Sequence, residues 1–216
     1  MFFRSLCSAL LALAASMPLA AADKPLTRAQ ALRAIEQPAA AARRAAAARL
    51  GEVGTMADAD RLVTRLNDDD AQVRQLAEAA MWRIWSRSGD RAIDALQLRG
   101  VEQMEAGQLP QALLTFSEII RRKPSFAEGW NKRATIYYLL GQYELSMKDC
   151  DEVLKRNQNH FGALSGYGQM FITLGDFERA IDYLERALKV NPNLPGAAAT
   201  IRLLEQQLEQ TRRKTI

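Results

Sequence analysis

His160 and Cys150 are the residues of this sequence whose side chains could support nucleophilic or metal chemistry. His160 is the only histidine among the 216 residues, so the sequence cannot form a two-histidine metal site or an H-E-x-x-H helix. A histidine-activated thiol would require His160 to meet Cys150. The sequence also has no G-x-S-x-G elbow, P-loop or G-x-G-x-x-G turn. We therefore expect no catalytic residue and no cofactor, and predict a protein that is not an enzyme.

Three consecutive aspartates, Asp68–Asp70, form the densest group of candidate metal ligands. A calcium loop needs oxygen ligands at alternating positions and a glutamate further along, and this run lacks that pattern. The aspartates suit the start of a helix instead, where Asp70 is a good cap and negative charge meets the positive end of the helix dipole. We expect no metal site. The number of acidic residues alone leaves a carboxylate-pair glycosidase open.

The elements that must hold these residues are helices. Hydrophobic residues make up 48% of the chain and charged residues 25%, which is typical of a soluble globular protein. Alanine, leucine, arginine and glutamate, all strong helix formers, dominate, and no stretch shows the alternation of a strand. The sequence therefore predicts an all-α fold. A formal net charge of +4, spread evenly, does not indicate a nucleic-acid partner.

Residues 1–22 have the pattern of a cleavable secretory signal. A short segment with one positive charge, Arg4, precedes an apolar stretch from Leu6 to Ala15 and the small residues Ala20–Ala22. We expect cleavage before Asp23, with cleavage after Ala20 as the alternative, and export to an extracytoplasmic space such as the periplasm. The apolar stretch is too short to span a bilayer, so we expect no stable membrane insertion after cleavage. Cys7 would leave with the signal. Cys150 then remains as a lone cysteine without an internal disulfide.

A sequence repeat runs through the C-terminal half. Gly107, Gly141 and Gly175 recur every 34 residues. The same spacing links Gly100 with Ala134 and Gly168, Leu109 with Tyr143 and Phe177, Ala112 with Ser146 and Ala180, and Phe116 with Cys150 and Leu184. Pro124 and Pro192 are two periods apart. A constant period of this length is typical of stacked helical hairpins.

The pattern resembles the tetratricopeptide repeat (TPR), which has the same period, over three repeats in residues 91–192. The resemblance implies a right-handed α-solenoid of helical hairpins. Small residues where the helices cross would permit close approach, and the glycines would end each first helix in a left-handed conformation. Trp130 and Leu164 would enter the hairpin cores, with Tyr137 and Phe171 two turns further on.

Two positions depart from the usual pattern of these repeats. Cys150 takes a place that Phe116 and Leu184 hold in the other hairpins, so we expect a small buried hydrophobic residue, not a redox group. Arg133 stands where an apolar residue is common. In a subset of TPR motifs an arginine there faces an aspartate of the second helix, and Asp149 occupies that position. The resemblance thus implies a structural salt bridge between Arg133 and Asp149.

The segments on either side of the repeats are also predicted to be helical. Residues 23–90 resemble a HEAT-type helical repeat over about one repeat, with the aspartate run ahead of Val73-Arg74. We expect Trp82 or Trp85 to pack on the first TPR hairpin, which would make the chain one continuous solenoid. Residues 193–216 have apolar positions on one face only and predict a capping helix.

In the TPR family, the first helix of each hairpin lines a concave groove. Carried over, the groove positions are Asp94, Gln97, Val101 and Met104, then Glu128, Asn131, Thr135 and Tyr138, then Gly162, Ser165, Gln169 and Ile172. Asn131 and Tyr138 are the strongest candidates for peptide contact, because amides reach a peptide backbone and tyrosine gives rigid contact area. The lysines and arginines that clamp a terminal carboxylate in some family members are absent from these positions.

The leading hypothesis is an exported scaffold or adaptor that binds a protein or peptide segment in this groove. The alternative is a structural or regulatory subunit of an envelope complex that contacts its partners through its outer or N-terminal surface. A cell-wall enzyme ranks third, since a solenoid without an insert offers no pocket that excludes water. The identity of the partner cannot be read from the residues.

Overall fold

The structure, a computed structural model, describes residues 24–214. That range contains helices and connecting turns and no β-strand, which confirms the prediction of an all-α fold. The helices are α1 (Arg28–Ala34), α2 (Ala40–Val53), α3 (Ala59–Arg65), α4 (Ala71–Trp85), α5 (Arg91–Glu105), α6 (Leu109–Arg122), α7 (Ala127–Leu139), α8 (Tyr143–Arg156), α9 (Phe161–Thr173), α10 (Phe177–Val190) and α11 (Ala197–Lys214). The predicted signal segment, residues 1–22, lies outside the described residues.

Helices α1 to α4 form an N-terminal unit, residues 24–88. Its buried core is made of apolar side chains, among them Ala46, Ala47, Leu50, Leu62, Leu66, Ala77, Ala80, Met81 and Ile84. Helices α2 and α4 cross closely, since a Cβ added to Gly51 would lie 3.2 Å from the Cα of Ala80. The likeness of this unit to a HEAT repeat stays a prediction.

The aspartate run at the start of α4 has a structural role. Asp70 caps the helix by accepting a hydrogen bond of 2.9 Å from the backbone N–H of Val73, as predicted. Asp68 is buried and accepts two hydrogen bonds of 2.7 Å from the Nε and Nη2 of Arg43. The hydrogen bonds from Arg43 hold the pKa of Asp68 below its usual value although burial opposes ionisation. Among the described residues no cluster of three potential ligands could hold a metal ion.

Three antiparallel hairpins follow, formed by α5 with α6, α7 with α8, and α9 with α10. Gly107, Gly141 and Gly175 each have φ near +70° directly after the first helix of a hairpin, a conformation that glycine adopts at little cost. Small residues at the helix crossings are required as well. A Cβ on Gly100 would lie 2.6 Å from the ring of Phe116, and one on Gly168 would lie 2.7 Å from Leu184.

The middle hairpin, α7 with α8, confirms the predicted Arg133–Asp149 salt bridge and shows how the nearby aromatic side chains pack. Arg133 donates hydrogen bonds from Nε and Nη2 to Asp149, at 2.7 Å and 2.8 Å. Trp130 packs against the hairpin core, as predicted, but neither Trp130 nor Tyr137 is fully buried. They are half-buried at its margin, where the guanidinium of Arg133 lies 5.1 Å and 5.6 Å from their ring centroids. The cation attracts both rings.

The N-terminal unit does not extend the solenoid, so the prediction that Trp82 or Trp85 packs on the first hairpin is wrong. Both indoles pack on the start of α9 in the third hairpin. The ring of Trp85 stacks on His160 at 4.4 Å between centroids, and Trp82 meets Phe161 edge-on at 5.2 Å. Gly89, with φ of +76°, lies in the turn between α4 and α5, where the chain changes direction.

Contacts with the connections between hairpins place the N-terminal unit along one edge of the stack. Lys123, after α6, donates a hydrogen bond of 2.5 Å from Nζ to the carbonyl of Ser88. Asn193, after α10, donates one of 2.7 Å from Nδ2 to the carbonyl of Leu66. The stacking of Trp85 on His160 is the contact with the connection after α8. The N-terminal unit therefore touches the connections after α6, α8 and α10.

Helix α11 covers the end of the last hairpin, as predicted. Ile201 and Leu204 are buried against the core of the third hairpin, while Leu203 on the opposite side is exposed. Within residues 24–214, no helix combines the length and apolar character needed to cross a bilayer.

Cys150 is buried in the core of the second hairpin, in agreement with its predicted place in the repeat. Burial, together with the charges of Asp149 and Asp151, raises the pKa of its thiol from 9.0 to about 12. The thiolate, which is the reactive form of cysteine, is therefore much scarcer at neutral pH than in an exposed cysteine. In a Cys7→Ala background, we expect a disulfide reagent to label Cys150 at least about 100-fold more slowly in native buffer than in guanidinium. Rapid labelling of the native chain, followed by absorbance, would contradict this burial.

Candidate binding groove

Helices α7 and α9, the first helices of the second and third hairpins, line an open groove. It has a cavity of about 330 Å³. The lining residues are Asn131, Ala134, Thr135, Tyr138, Ser146, Cys150, Gly162, Ala163, Ser165, Gly166, Gln169 and Met170. The second helix α8 contributes the floor through Ser146 and Cys150, whereas the walls come from α7 and α9.

Five predicted groove residues with side chains that can contact a guest meet in this cavity, beside the predicted Gly162: Asn131, Thr135, Tyr138, Ser165 and Gln169. They recur at helical spacing and so project from the same faces of α7 and α9. Thr135 and Gln169 are exposed, and the other three are half-buried. The amides and hydroxyls among them can donate and accept hydrogen bonds. The wall therefore offers contacts that a peptide backbone can use.

The first hairpin does not contribute to the cavity. Gln97 and Met104, predicted for the groove, lie on α5 away from it. Gln97 is buried, and its Oε1 has no hydrogen-bond partner among the described residues. Met104 packs against the core of the first hairpin. Asp94, also on α5, accepts hydrogen bonds from the backbone N–H and the hydroxyl of Ser88.

Glu128, another predicted groove residue, is unavailable to a guest because its side chain is fully buried. Its Oε2 lies 3.2 Å from the Nε2 of His160, and its Oε1 lies 3.3 Å from the Nζ of Lys132. Asn131 also donates from Nδ2 to this carboxylate, at 3.2 Å. Burial opposes ionisation, but the hydrogen bond from His160 and the charge of Lys132 hold the pKa of Glu128 below its ordinary value.

His160 connects the groove helices to the N-terminal unit. Its Nδ1 accepts a hydrogen bond of 3.1 Å from the backbone N–H of Ala163, so His160 caps the start of α9. Since Nδ1 accepts, the ring proton lies on Nε2 and is donated to Glu128. The ring is completely buried beneath Trp85. Sequence reasoning missed this pairing, because Glu128 and His160 lie in different hairpins and no local pattern links them.

The glycines of α9 have separate roles. A Cβ on Gly162 would lie 2.6 Å from the Cη2 of Trp82, and Gly168 is crowded by Leu184, so both serve packing. A Cβ on Gly166 would meet nothing within 4 Å. Gly166 lines the cavity, and its missing side chain leaves space for a guest.

The groove carries no charged side chain among its lining residues. Lysine and arginine are absent from the lining, in agreement with the sequence, and the nearby carboxylate of Glu128 is already paired. An acidic ligand would therefore find no counter-charge in this cavity. The groove favours neutral, hydrogen-bonding and small apolar groups.

Comparison with known proteins agrees with this architecture. Two family models, both described as tetratricopeptide repeat, match residues 127–160 and 161–194. The chain is 34% identical over 128 residues to a TPR repeat-containing protein of Rhizobium etli, covering 59% of this chain and 63% of that protein. It is 25% identical over 118 residues to the Hsp70-Hsp90 organizing protein of Triticum aestivum, covering 55% of this chain and 20% of that protein. The chain thus matches less than two thirds of either relative.

Solved structures share the fold over about half of the chain. The first TPR of Spaghetti (RPAP3), bound to an HSP90 peptide, superposes with a TM-score of 0.52 at 23% identity, covering 54% of this chain and 93% of that one. The Sgt2 TPR domain from Aspergillus fumigatus gives a TM-score of 0.53 at 17% identity, covering 57% and 83%. The hairpin geometry, the repeat models and these likenesses agree. This chain is a helical-repeat protein that contains tetratricopeptide repeats.

Proposed function

We propose that this chain is a non-catalytic scaffold that binds a peptide or an extended protein segment in the groove between α7 and α9. The observation that carries the proposal is the open cavity in which Asn131, Thr135, Tyr138, Ser165 and Gln169 meet. Two of the similar structures are complexes of TPR domains, one with an HSP90 peptide and one named as a complex of yeast Sti1 with pHsp70. These complexes support the proposal, because in them the same fold accommodates a partner.

The lining of the groove indicates the chemistry of the guest. The peptide in the RPAP3 complex, SRMEEVD, is acidic at its end, whereas no cationic side chain lines the present groove. We therefore expect a neutral segment. Its backbone would exchange hydrogen bonds with Asn131 and Gln169, and its small apolar side chains would lie over Gly166 and Met170.

The location of the protein is part of the same proposal. The segment 1–22 supports export, since a short basic start, an apolar core and small residues before Asp23 are the marks of a cleavable signal. A periplasmic partner is expected on this basis. N-terminal sequencing of the protein recovered from an envelope fraction tests the point. Recovery of the uncleaved chain from the cytosol would refute it.

Changing the groove is expected to abolish partner capture. Asn131→Ala with Tyr138→Ala removes the two predicted peptide contacts on α7, and loss of such a pair should weaken binding at least about 30-fold. The partner is first captured by crosslinking from an envelope extract, and its affinity for each purified variant is then measured by calorimetry. Circular dichroism establishes that the variant remains folded.

A control variant and an outer-surface variant distinguish groove binding from binding to the outer surface. Leu203→Ala with Gln206→Ala changes two exposed residues of α11 and should leave the affinity unchanged. Exposed leucines on the outer faces of α5 and α6, Leu98 and Leu114, favour the alternative of a structural or regulatory subunit. That alternative would be supported if the groove variant still captured the partner and Leu98→Ala with Leu114→Ala did not.

A further inference from the structure

A second cavity, separate from the groove, lies where the N-terminal unit meets the connections after the first and second hairpins. Its volume is about 260 Å³. The lining residues are Met56, Trp85, Arg87, Ser88, Lys123, Ser125, Phe126, Ala127, Arg156 and Asn157. The first four belong to the N-terminal unit and the other six to the hairpins. We call it the interface cavity.

Three cationic side chains and no acidic one line the interface cavity. Arg87 donates hydrogen bonds of 2.5 Å and 2.8 Å to the carbonyls of Gly51 and Gly54, and Lys123 donates to the carbonyl of Ser88. Among the described residues, neither Arg87 nor Lys123 has a carboxylate within ion-pair distance. Carbonyl contacts fix these side chains in place without neutralising their positive charges.

Acidic groups of the second hairpin reduce this charge only in part. Arg156 forms an ion pair of 2.6 Å with Glu152. Glu128, in the first turn of α7, is already paired with His160 and Lys132. With Arg156 neutralised by Glu152, two positive charges remain in the lining.

Two aspartates at the start of α5, Asp90 and Asp94, lie near the cavity although neither lines it. Asp90 caps α5 by accepting hydrogen bonds from the backbone N–H groups of Ala92 and Ile93. These bonds, with a smaller contribution from the charge of Lys123, hold the pKa of Asp90 below its ordinary value. Asp94 is hydrogen-bonded to Ser88. Both carboxylates are thus hydrogen-bonded to local donors, and at longer range they lower, but do not cancel by direct pairing, the positive potential of the cavity.

The indole of Trp85 supplies an independent observation. Trp85 is only 4% exposed, yet its Nε1–H has no hydrogen-bond partner among the described residues. Buried polar groups in folded proteins almost always have a partner. Asn157 also leaves Nδ2 unpaired, but so does Asn191, which holds the same position one repeat later and lies away from the cavity. The unpaired indole N–H of Trp85 is therefore the feature specific to this cavity.

The start of helix α7 adds a third feature. Ser125, Phe126 and Ala127 line the cavity at this helix end, and the N-cap residue Phe126 makes no side-chain capping hydrogen bond. The first backbone N–H groups of a helix carry partial positive charge and bind anions. Phe126 and Met56 supply apolar surface beside these donors.

We propose that the interface cavity binds a small organic anion, a carboxylate with an apolar body. The carboxylate would lie near Arg87, Lys123 and the Nε1–H of Trp85, and the apolar body would pack on Phe126 and Met56. Because its contacts come from both the N-terminal unit and the hairpins, the ligand would stabilise their docking. This proposal is independent of peptide binding in the groove.

The repeat itself supplies a suitable test variant. Lys123 stands where the second and third hairpins carry Asn157 and Asn191, so Lys123→Asn is compatible with this turn. Asn157→Asp is isosteric, keeps the Oδ1 acceptor that the N–H of Asn159 uses, and adds a negative charge to the cavity. Gln206→Glu on the exposed face of α11 adds the same charge elsewhere and serves as the control.

The experiment titrates the full-length chain with benzoate, hexanoate, benzamide and inorganic phosphate up to about 10 mM. Binding is followed by calorimetry and by the indole N–H signal of Trp85 in NMR spectra. We expect both carboxylates to bind and to shift this signal, and benzamide not to bind. Each of Lys123→Asn and Asn157→Asp should weaken carboxylate binding at least about tenfold, and Gln206→Glu should not.

Three outcomes would overturn the proposal. The first is the absence of carboxylate binding to the folded full-length chain. The second is equal affinity in Lys123→Asn, Asn157→Asp and the unchanged chain, which would place any binding outside this cavity. The third is phosphate binding as tightly as benzoate, which would make the cavity a site for inorganic anions instead.

Discussion

Replacing Arg133 with alanine is expected to destabilise the folded chain by about 3–5 kcal/mol, because the change leaves a buried carboxylate without its partner. The side chain of Asp149 is only 5% exposed and that of Arg133 is 18% exposed. Two parallel hydrogen bonds of 2.7 Å and 2.8 Å join them. Arg133 also donates to the hydroxyl of Ser117 on α6, so the substitution loosens the contact between the first and second hairpins as well.

A matched surface pair supplies the control for this measurement. Arg121 donates two hydrogen bonds to Glu118, at 2.8 Å and 2.6 Å, so its geometry is comparable. These side chains are 71% and 38% exposed, and water screens their attraction. Arg121→Ala should therefore leave the urea unfolding curve almost unchanged. Equal losses for Arg133→Ala and Arg121→Ala would show that the Arg133–Asp149 pair is not buried in solution.

Removing both charges distinguishes the net contribution of the ion pair to stability from the cost of leaving one buried charge without a partner. Arg133→Met with Asp149→Leu replaces the pair by apolar side chains, and we expect it to recover most of the stability lost in Arg133→Ala. A double variant as unstable as the single one would mean that the loss comes from packing around Trp130 and Tyr137. Urea unfolding curves of the single and double variants measure the two free energies of unfolding that are compared.

Phe161→Ala is expected to cost about 3–5 kcal/mol and to release the N-terminal unit from the hairpins. Phe161 starts α9 but belongs to the apolar core of the N-terminal unit. Its ring lies 5.2 Å from that of Trp82 and 5.0 Å from that of Trp85. We expect amide hydrogen exchange in α4 to accelerate at least about 100-fold.

Phe171→Ala distinguishes undocking from general destabilisation. Phe171 is the same residue type on the same helix, and its buried ring contacts Tyr167 and Tyr183 within the third hairpin. We expect its removal to accelerate exchange in α9 and α10 while α4 remains protected. Unchanged exchange of α4 in Phe161→Ala would mean that the N-terminal unit does not rest on this edge of the stack.

Much of the hairpin architecture could be predicted because its determinants are local and repeated. Gly141 must follow α7 since only glycine turns there at little cost. Arg133 and Asp149 lie on two adjacent helices of one hairpin, so the hairpin itself brings them together. The groove residues of α7 and α9 could be predicted for the same reason. Once the repeat is recognised, helix periodicity determines which faces they share.

The sites that the sequence did not indicate depend on contacts between distant segments. Glu128 was expected to face the groove, yet the approach of His160 and the cover of Trp85 bury it. No local pattern marks Trp85 as a partner of His160, because two complete hairpins separate them along the chain. The contacts of Trp82 with Phe161 and of Trp85 with His160 hold the N-terminal unit in its position.

Local sequence accounts for the helices, the hairpins with their turns, and the Arg133–Asp149 clamp, because each results from propensity, capping and a spacing that recurs within one repeat length. Only the assembled chain reveals that the N-terminal unit folds along the edge of the stack. The burial of Glu128 and the meeting of Arg87, Lys123 and Trp85 in one cavity have the same origin. Burial of large aromatic surfaces is non-directional, so the complete shape of the molecule selects which distant surfaces meet.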